Sequence, residues 1–165
     1  MTSPLSTRNS ATPWLSDDEQ HLWRDWLNLN ARLNASINRS LQRRHDLSLS
    51  DFSVLVVLSE APESRVRIAA LADELQWERS RLSHHLTRME KRNLVAREEC
   101  LTDGRGAFVT LKPEGLSSIQ SAAPDHVRLV RSIFFDGQRP EDLRAVGDVL
   151  HRMLANFEEV ADEVE

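Results

Sequence analysis

The sequence predicts a mainly α-helical fold with one small β-hairpin, and three observations carry that prediction. Apolar residues recur at spacings of three and four along most of the chain, the mark of helices with one buried face. The period switches to about two only in "LVAREECL" and "AFVTL", which flank the glycine-rich "TDGRG". Just ahead of that switch, residues 79–92 hold five basic side chains against Glu90 alone, in a chain of formal charge −5.

The first helix is expected over "SDDEQHLWRDWLNLNARLNASINRSLQRR", with Ser16 as N-cap and Asp17, Asp18 and Glu19 in a first turn that favours negative charge. Leu22, Trp23, Trp26, Leu29 or Asn30, Leu33, Ile37 and Leu41 make its apolar stripe. "LSLSDFSVLVVLSEAP" predicts a short apolar helix capped by Ser50 and ending before Pro62. "IAALADEL" gives about two further turns. A basic helix then spans residues 78–92, with Leu82, Leu86 and Met89 on its inner side. Trp77 is expected to pack on Leu82 as a staple at the helix start. After the hairpin, a helix begins at Pro113, a favourable first-turn residue, and is expected to bend at Pro124, where a backbone hydrogen bond is lost. "FFDGQRP" makes a turn. A last helix carries Leu143, Val146, Leu150, Leu154, Phe157 and Val160 or Ala161 on one stripe.

Composition bounds the function. At 165 residues, with 40% hydrophobic and 28% charged side chains, the chain fits an ordinary globular protein. The single cysteine, Cys100, excludes an internal disulfide and fits a reducing, cytoplasmic setting. No apolar run reaches the roughly 18 residues of a membrane span, and "MTSPLSTRNSATP" lacks the apolar core of a secretory signal. Residues 1–15 read as a disordered tail. Charge divides unevenly: −1 over residues 1–62, +2 over 63–112 and −6 over 113–165. An acidic body with one basic face excludes a protein that coats nucleic acid indiscriminately.

A short helix, a tight turn and a basic helix describe a helix-turn-helix, whose second helix enters the major groove. On the basic helix Arg81, His84 and Arg88, spaced three and four, form an outer stripe. Ser80 and Ser83 are small enough for close approach to DNA. Arginine is the usual bidentate reader of guanine, which makes Arg81 and Arg88 the base-contact candidates. Taken alone, such a stripe is equally a solvated face. Arg105 stands between glycines at the hairpin tip with Asp103 two residues earlier. An arginine there can enter a narrow minor groove with Asp103 orienting it, or the pair can be an ordinary turn.

Residues 71–115, "LADELQWERSRLSHHLTRMEKRNLVAREECLTDGRGAFVTLKPEG", resemble the core of the MarR (multiple antibiotic resistance regulator) family, in a version similar to its actinobacterial branch. "LSLSDFSVLVVLSEAP" resembles the helix that precedes that core, and the likeness extends over about residues 17–160. The resemblance implies a winged helix-turn-helix over 49–112 and a helical dimerisation region over 16–48 and 113–165. It implies a homodimer that binds a pseudo-palindromic operator through Ser80, Arg81, Ser83, His84, Arg88, Asp103 and Arg105. A repressor released by a small phenolic or anionic aromatic effector is the expected behaviour. Trp23, Trp26, Phe52 and Ser53 are its candidate pocket, against plain core packing. Ser53 stands where urate-responsive members carry an acidic residue. The chain departs from the family pattern at Asn93, where glycine is usual, at Gln76 in the turn, and at Lys112 and Arg139, which replace capping threonines.

No cofactor is expected. His84 and His85 lie about 100° apart on a helix and do not chelate one ion together, and His21, His45, His126 and His151 form no ligand spacing. His85 is expected to be a half-buried packing residue and His84 to face DNA. Glu98 and Glu99 beside Cys100 dull its thiol. Nothing pairs a nucleophile with a base or cradles a phosphate, so no enzyme is expected. The competing readings are a helical interaction domain whose basic helix docks an acidic partner, and a metal- or redox-responsive regulator.

Overall fold

A computed structural model of the protein describes residues 13–99 and 107–164. Asp103 and Arg105, Cys100 and most of the N-terminal tail lie outside the described residues, as do the side chains of Val160 and Ala161. Among the described residues six α-helices and three strands run in the order α1 (Asp17–His45), α2 (Leu49–Glu60), β1 (Arg65–Arg67), α3 (Ile68–Glu74), α4 (Arg79–Lys91), β2 (Val95–Glu99), β3 (Ala107–Leu111), α5 (Pro113–Val130) and α6 (Pro140–Val164). The chain divides into two units, Met1–Ser36 and Ile37–Glu165.

In the first unit α1 starts as expected. The Ser16 Oγ accepts from the Glu19 N–H at 3.3 Å, and the Glu19 carboxylate accepts from the Ser16 N–H at 2.7 Å, a reciprocal capping box. Leu22, Trp23, Trp26, Leu27 and Leu29 are all exposed.

In the second unit Ile37 and Leu41 on α1 are buried, and Asp46 ends the helix in the left-handed region at φ 52°. The cap of α2 is Ser48, not Ser50. Ser48 Oγ accepts from the Asp51 N–H at 3.0 Å and the Asp51 carboxylate accepts from the Ser48 N–H at 2.9 Å, so the Ser-x-x-Asp box outcompetes a serine already inside the first turn. Asn38 on α1 accepts the Leu49 N–H at 2.8 Å and satisfies another free donor of that helix end.

The hairpin expected from the sequence is part of a three-stranded antiparallel sheet of order β1-β3-β2. Val66 pairs with Val109 on one edge and Arg97 with Val109 on the other. Three residues of β1 are too short to show a period. The core joins Val54, Leu55 and Leu58 of α2, Leu71 of α3, Leu82, Leu86 and Met89 of α4, and Val109, each with no accessible surface. Helix α5 begins at Pro113 and runs unbroken through Pro124 to Val130; the departure from α geometry falls later, in a wide turn over Arg131–Phe135, before Gly137 reverses the chain at φ 83°.

Candidate nucleic-acid interface

Helices α3 and α4 are joined by a turn whose geometry rests on one residue. Gln76 occupies the left-handed region at φ 53°, and its side-chain amide donates to the Asp73 carbonyl at 2.7 Å, which offsets part of the cost of that conformation. The Trp77 N–H closes the turn on the Ala72 carbonyl at 2.9 Å. Beyond α4, Asn93 takes the same region at φ 60° where the family pattern has glycine, as asparagine tolerates.

The helix divides as its periodicity requires. Leu82, Leu86 and Met89 are fully buried, while Ser80, Arg81, Ser83, His84 and Arg88 are all exposed on the opposite side. The exposed set forms one continuous polar surface.

Two arginines of that surface are held in place. The Arg81 guanidinium lies over the Trp77 ring, 4.4 Å from its centroid. The Trp77 ring also meets His85 edge-on at 5.4 Å, so it supports Arg81 on one face and touches the imidazole. The Arg88 Nη2 donates to His85 Nδ1 at 2.8 Å. His85 is 6% exposed, more deeply buried than a half-buried packing residue, and its Nε2 stands 3.1 Å from Asp51 Oδ1, off the axis of a straight hydrogen bond.

Asp51 anchors this set from α2. Burial opposes its ionisation. His85, the Ser48 N–H, the Arg92 guanidinium at 2.9 Å and the Ser48 hydroxyl outweigh that and hold its carboxyl well below the usual carboxylate range. Arg92 also donates to the Asp46 carbonyl, so one guanidinium joins the end of α4 to both ends of the α1–α2 connection.

The sheet is fastened to α4 by Arg97 of β2. Its guanidinium donates to Glu90 Oε2 at 2.7 Å, to the Ser83 carbonyl at 2.6 Å and to Thr87 Oγ1 at 3.2 Å, while its backbone N–H reaches Glu90 Oε1 at 3.0 Å. At the open edge, Arg65 of β1 lies 3.8 Å over the Phe108 ring and 3.1 Å from Glu98.

Asp51, Arg92 and Arg97 are absent from the sequence-based site. Their partners lie 41 residues away for Asp51 and Arg92, and 14 for Arg97 and Ser83, beyond the reach of any helical or strand period. Only the Ser48–Asp51 spacing marked one of them locally.

The residues expected to line a ligand pocket separate in character. Phe52 is buried and meets the His126 ring at a centroid distance of 4.6 Å, and Ser53 donates to the Leu49 carbonyl at 3.0 Å. Trp23 and Trp26 are 52% and 43% exposed on α1. A cavity of about 340 Å³ is lined by His126, Val127, Val130, Arg131 and Phe135. Burial pulls the His126 pKa below the usual histidine value, and its Nδ1 has no hydrogen-bond partner. Nearby, His45 Nε2 is 3.1 Å from the Asp125 carboxylate, which Arg128 and Arg44 also contact. Among the described residues no group of three or more His, Cys, Asp or Glu side chains is placed to hold a metal ion. Among the same residues, no helix is long and apolar enough to cross a membrane.

A basic helix presented by a tight left-handed turn, with a sheet bound to its flank, defines a DNA-binding winged helix-turn-helix regulator. The MarR family profile matches residues 45–106. AbsC, a MarR family transcriptional regulator of Streptomyces coelicolor, is 40% identical and superposes with a TM-score of 0.84 over 90% of this chain and 99% of its own. Sco3205 of the same organism, a MarR family regulator solved in complex with DNA, is 37% identical with a TM-score of 0.83, over 89% of this chain and 91% of its own. The regulator MgrA of Staphylococcus aureus is 29% identical over 75% of this chain and 84% of its own. The chain belongs to the MarR family of transcriptional regulators.

Proposed function

We propose that the protein is a homodimeric, sequence-specific repressor that lays α4 in the major groove and the β2–β3 wing over the adjacent minor groove. The observation that carries the reading is the exposed stripe Ser80, Arg81, Ser83, His84 and Arg88, on a helix whose other side is fully buried. Arg81 and Arg88 read guanine, the serines allow close approach, and Arg105 with Asp103 acts from the wing. Residues 49–112 form the DNA-binding part, and 16–48 with 113–165 the dimerisation region. The exposed apolar residues of α1, including Trp23 and Trp26, and of α6 belong to the surface a second copy covers. A gel shift with DNA upstream of the coding region tests this. Arg81→Ala and Arg105→Ala are each expected to weaken specific binding roughly 10-fold or more. Equal affinity for a scrambled duplex at two salt concentrations overturns the reading; a steep salt slope alone supports nothing, since any basic face gives one.

Release by a small aromatic anion is the second half of the proposal. The cavity beside His126 falls at the small end of the usual range for such sites, roughly 300–1,000 Å³. It combines Phe135 and two valines with the Arg131 cation and the unpartnered His126 Nδ1, a set suited to a phenolic carboxylate. Calorimetry with 2-hydroxybenzoate is expected to show binding that Arg131→Ala weakens, and the same compound is expected to release the DNA. Binding that does not alter DNA affinity removes the effector role.

A further inference from the structure

We propose that His85 is a positioning residue of the DNA interface, whose neutral ring fixes Arg88 directly and Arg81 through Trp77, so that its protonation sets how sharply the protein reads sequence. The inference rests on the DNA-binding reading above.

The tautomer follows from the contacts. Arginine has only donors, so the 2.8 Å contact from Arg88 Nη2 requires His85 Nδ1 to accept. The ring is then neutral with its proton on Nε2, which faces the Asp51 carboxylate at 3.1 Å. The charged and titratable groups around the ring are Asp51 from α2, with Arg92 on its other oxygen, and Arg88 from α4 itself. Trp77, from the turn, covers the ring edge and carries Arg81 on its own face. A buried carboxylate on α2 is thus connected through one imidazole to both candidate base-reading arginines.

Fixing a guanidinium by one nitrogen leaves its remaining donors for a base and removes the entropy cost of ordering it on binding. Protonation of His85 reverses this. A proton on Nδ1 sets donor against donor and cation against cation at 2.8 Å from Arg88, while the ring is drawn toward Asp51. Arg88 leaves its seat, and the Trp77 platform under Arg81 loses its edge contact. The added positive charge favours phosphate contact without regard to sequence. Base discrimination is therefore expected to be lower at pH 5.8 than at pH 8, while non-specific affinity holds or rises.

The test uses full-length protein and the duplex it selects from a random 24-base-pair pool, against the scrambled duplex. Wild type is expected to lose about 10-fold in the affinity ratio on going from pH 8 to 5.8, the scale of one weakened guanine contact. His85→Leu is expected to show the low ratio at both pH values. His85→Gln, which can still accept from Arg88 and does not titrate, is expected to recover most of the ratio and hold it flat. Since exposed His84 is present in every variant, any contribution it makes is common to all of them. Wild type and His85→Gln sharing one pH profile, or His85→Leu keeping the full ratio, overturns the proposal. Imidazole ¹⁵N shifts of wild type, which need no variant to fold, are expected to show unprotonated Nδ1 at pH 8; a protonated Nδ1 there also overturns it. No preference for the selected duplex at pH 8 overturns the DNA-binding reading with it, whereas a preference blind to pH and to His85 overturns this inference alone.

Discussion

Asp51 is 4% exposed; it accepts from the Ser48 N–H and the Arg92 guanidinium and stands 3.1 Å from His85 Nε2, and together these neighbours stabilise its charge. Replacing it by asparagine removes the buried charge that Arg92 pairs with at 2.9 Å and that faces His85 Nε2, and the expected loss is about 3 kcal/mol in urea unfolding at pH 7. The pH dependence has a definite sign. The folded carboxyl titrates below its ordinary value of 3.8, so its contribution is full above that value and is lost as pH falls below it. Wild-type stability is therefore expected to drop more steeply below pH 4 than that of Asp51→Asn; parallel curves would show that the carboxylate does not carry the effect. Single residues were legible in the sequence where the demand on them was local. Asn93, which replaces the usual glycine, takes the left-handed backbone that glycine would favour, at φ 60°. Lys112 caps α5 without a side-chain hydrogen bond, as its replacement of threonine implied. Arg139 instead grips Asp142 through two bonds of 2.8 Å at the start of α6, which replaces a threonine cap by a different contact; that pairing raises the arginine pKa. The link between Asp51 and His85 could not be read this way, because it joins α2 to α4 across 34 residues of sequence.

At the scale of elements, helices showed themselves by period and the wing by its glycines, but the joints between them did not. Gly115 is the clearest case. In the sequence it is a poor helix former in the first turn of α5; in the fold an added Cβ would stand 2.1 Å from the Leu94 carbonyl oxygen and 2.8 Å from a Leu111 methyl. Because the nearest obstacle is backbone, the helix must shift, and Gly115→Ala is expected to cost about 2 kcal/mol or more, read as a lowered denaturation midpoint at unchanged slope. Arg97 makes the complementary joint between β2 and α4. Its bonds to Glu90, Ser83 and Thr87 need a planar fork, so Arg97→Lys is expected to restore little of what Arg97→Ala loses. The alanine variant is expected to bind its DNA roughly 10-fold more weakly at a stability cost of about 1–2 kcal/mol. Unchanged affinity in a folded Arg97→Ala protein would show that the wing finds its angle without this contact. The strand β1 escaped sequence reading for a plain reason: "RVR" offers one alternation, and only pairing of Val66 with Val109 makes it a strand.

For the whole molecule, the distribution of apolar surface argues for a second copy. Helix α1 exposes Leu22, Trp23, Trp26, Leu27 and Leu29, and α6 exposes Val146, Val149, Met153, Leu154 and Phe157, a run of large apolar side chains on each helix that a chain standing alone leaves in water. The same stripes were visible as periodicity, but periodicity marks a face as buried without saying by what. In this chain the apolar face of α4 is covered by its own core, with Leu82, Leu86 and Met89 inaccessible, while Leu154 and Phe157 remain 64% and 79% exposed. In the proposed homodimer, a two-fold axis would cover such surfaces and place two α4 helices for two half-sites, which would turn the second contact with DNA into an intramolecular one. Leu154→Glu combined with Phe157→Glu puts like charges on that face. Wild type is expected to sediment at the mass of two chains and the double variant at one, with its far-ultraviolet helical signal retained. Operator affinity is expected to fall roughly 100-fold or more as the two half-sites lose their linkage. A double variant that still sediments as a dimer would remove α6 from the interface; a monomer that binds the full operator as tightly as wild type would mean that one copy suffices, and the two-fold arrangement would then have no part in recognition.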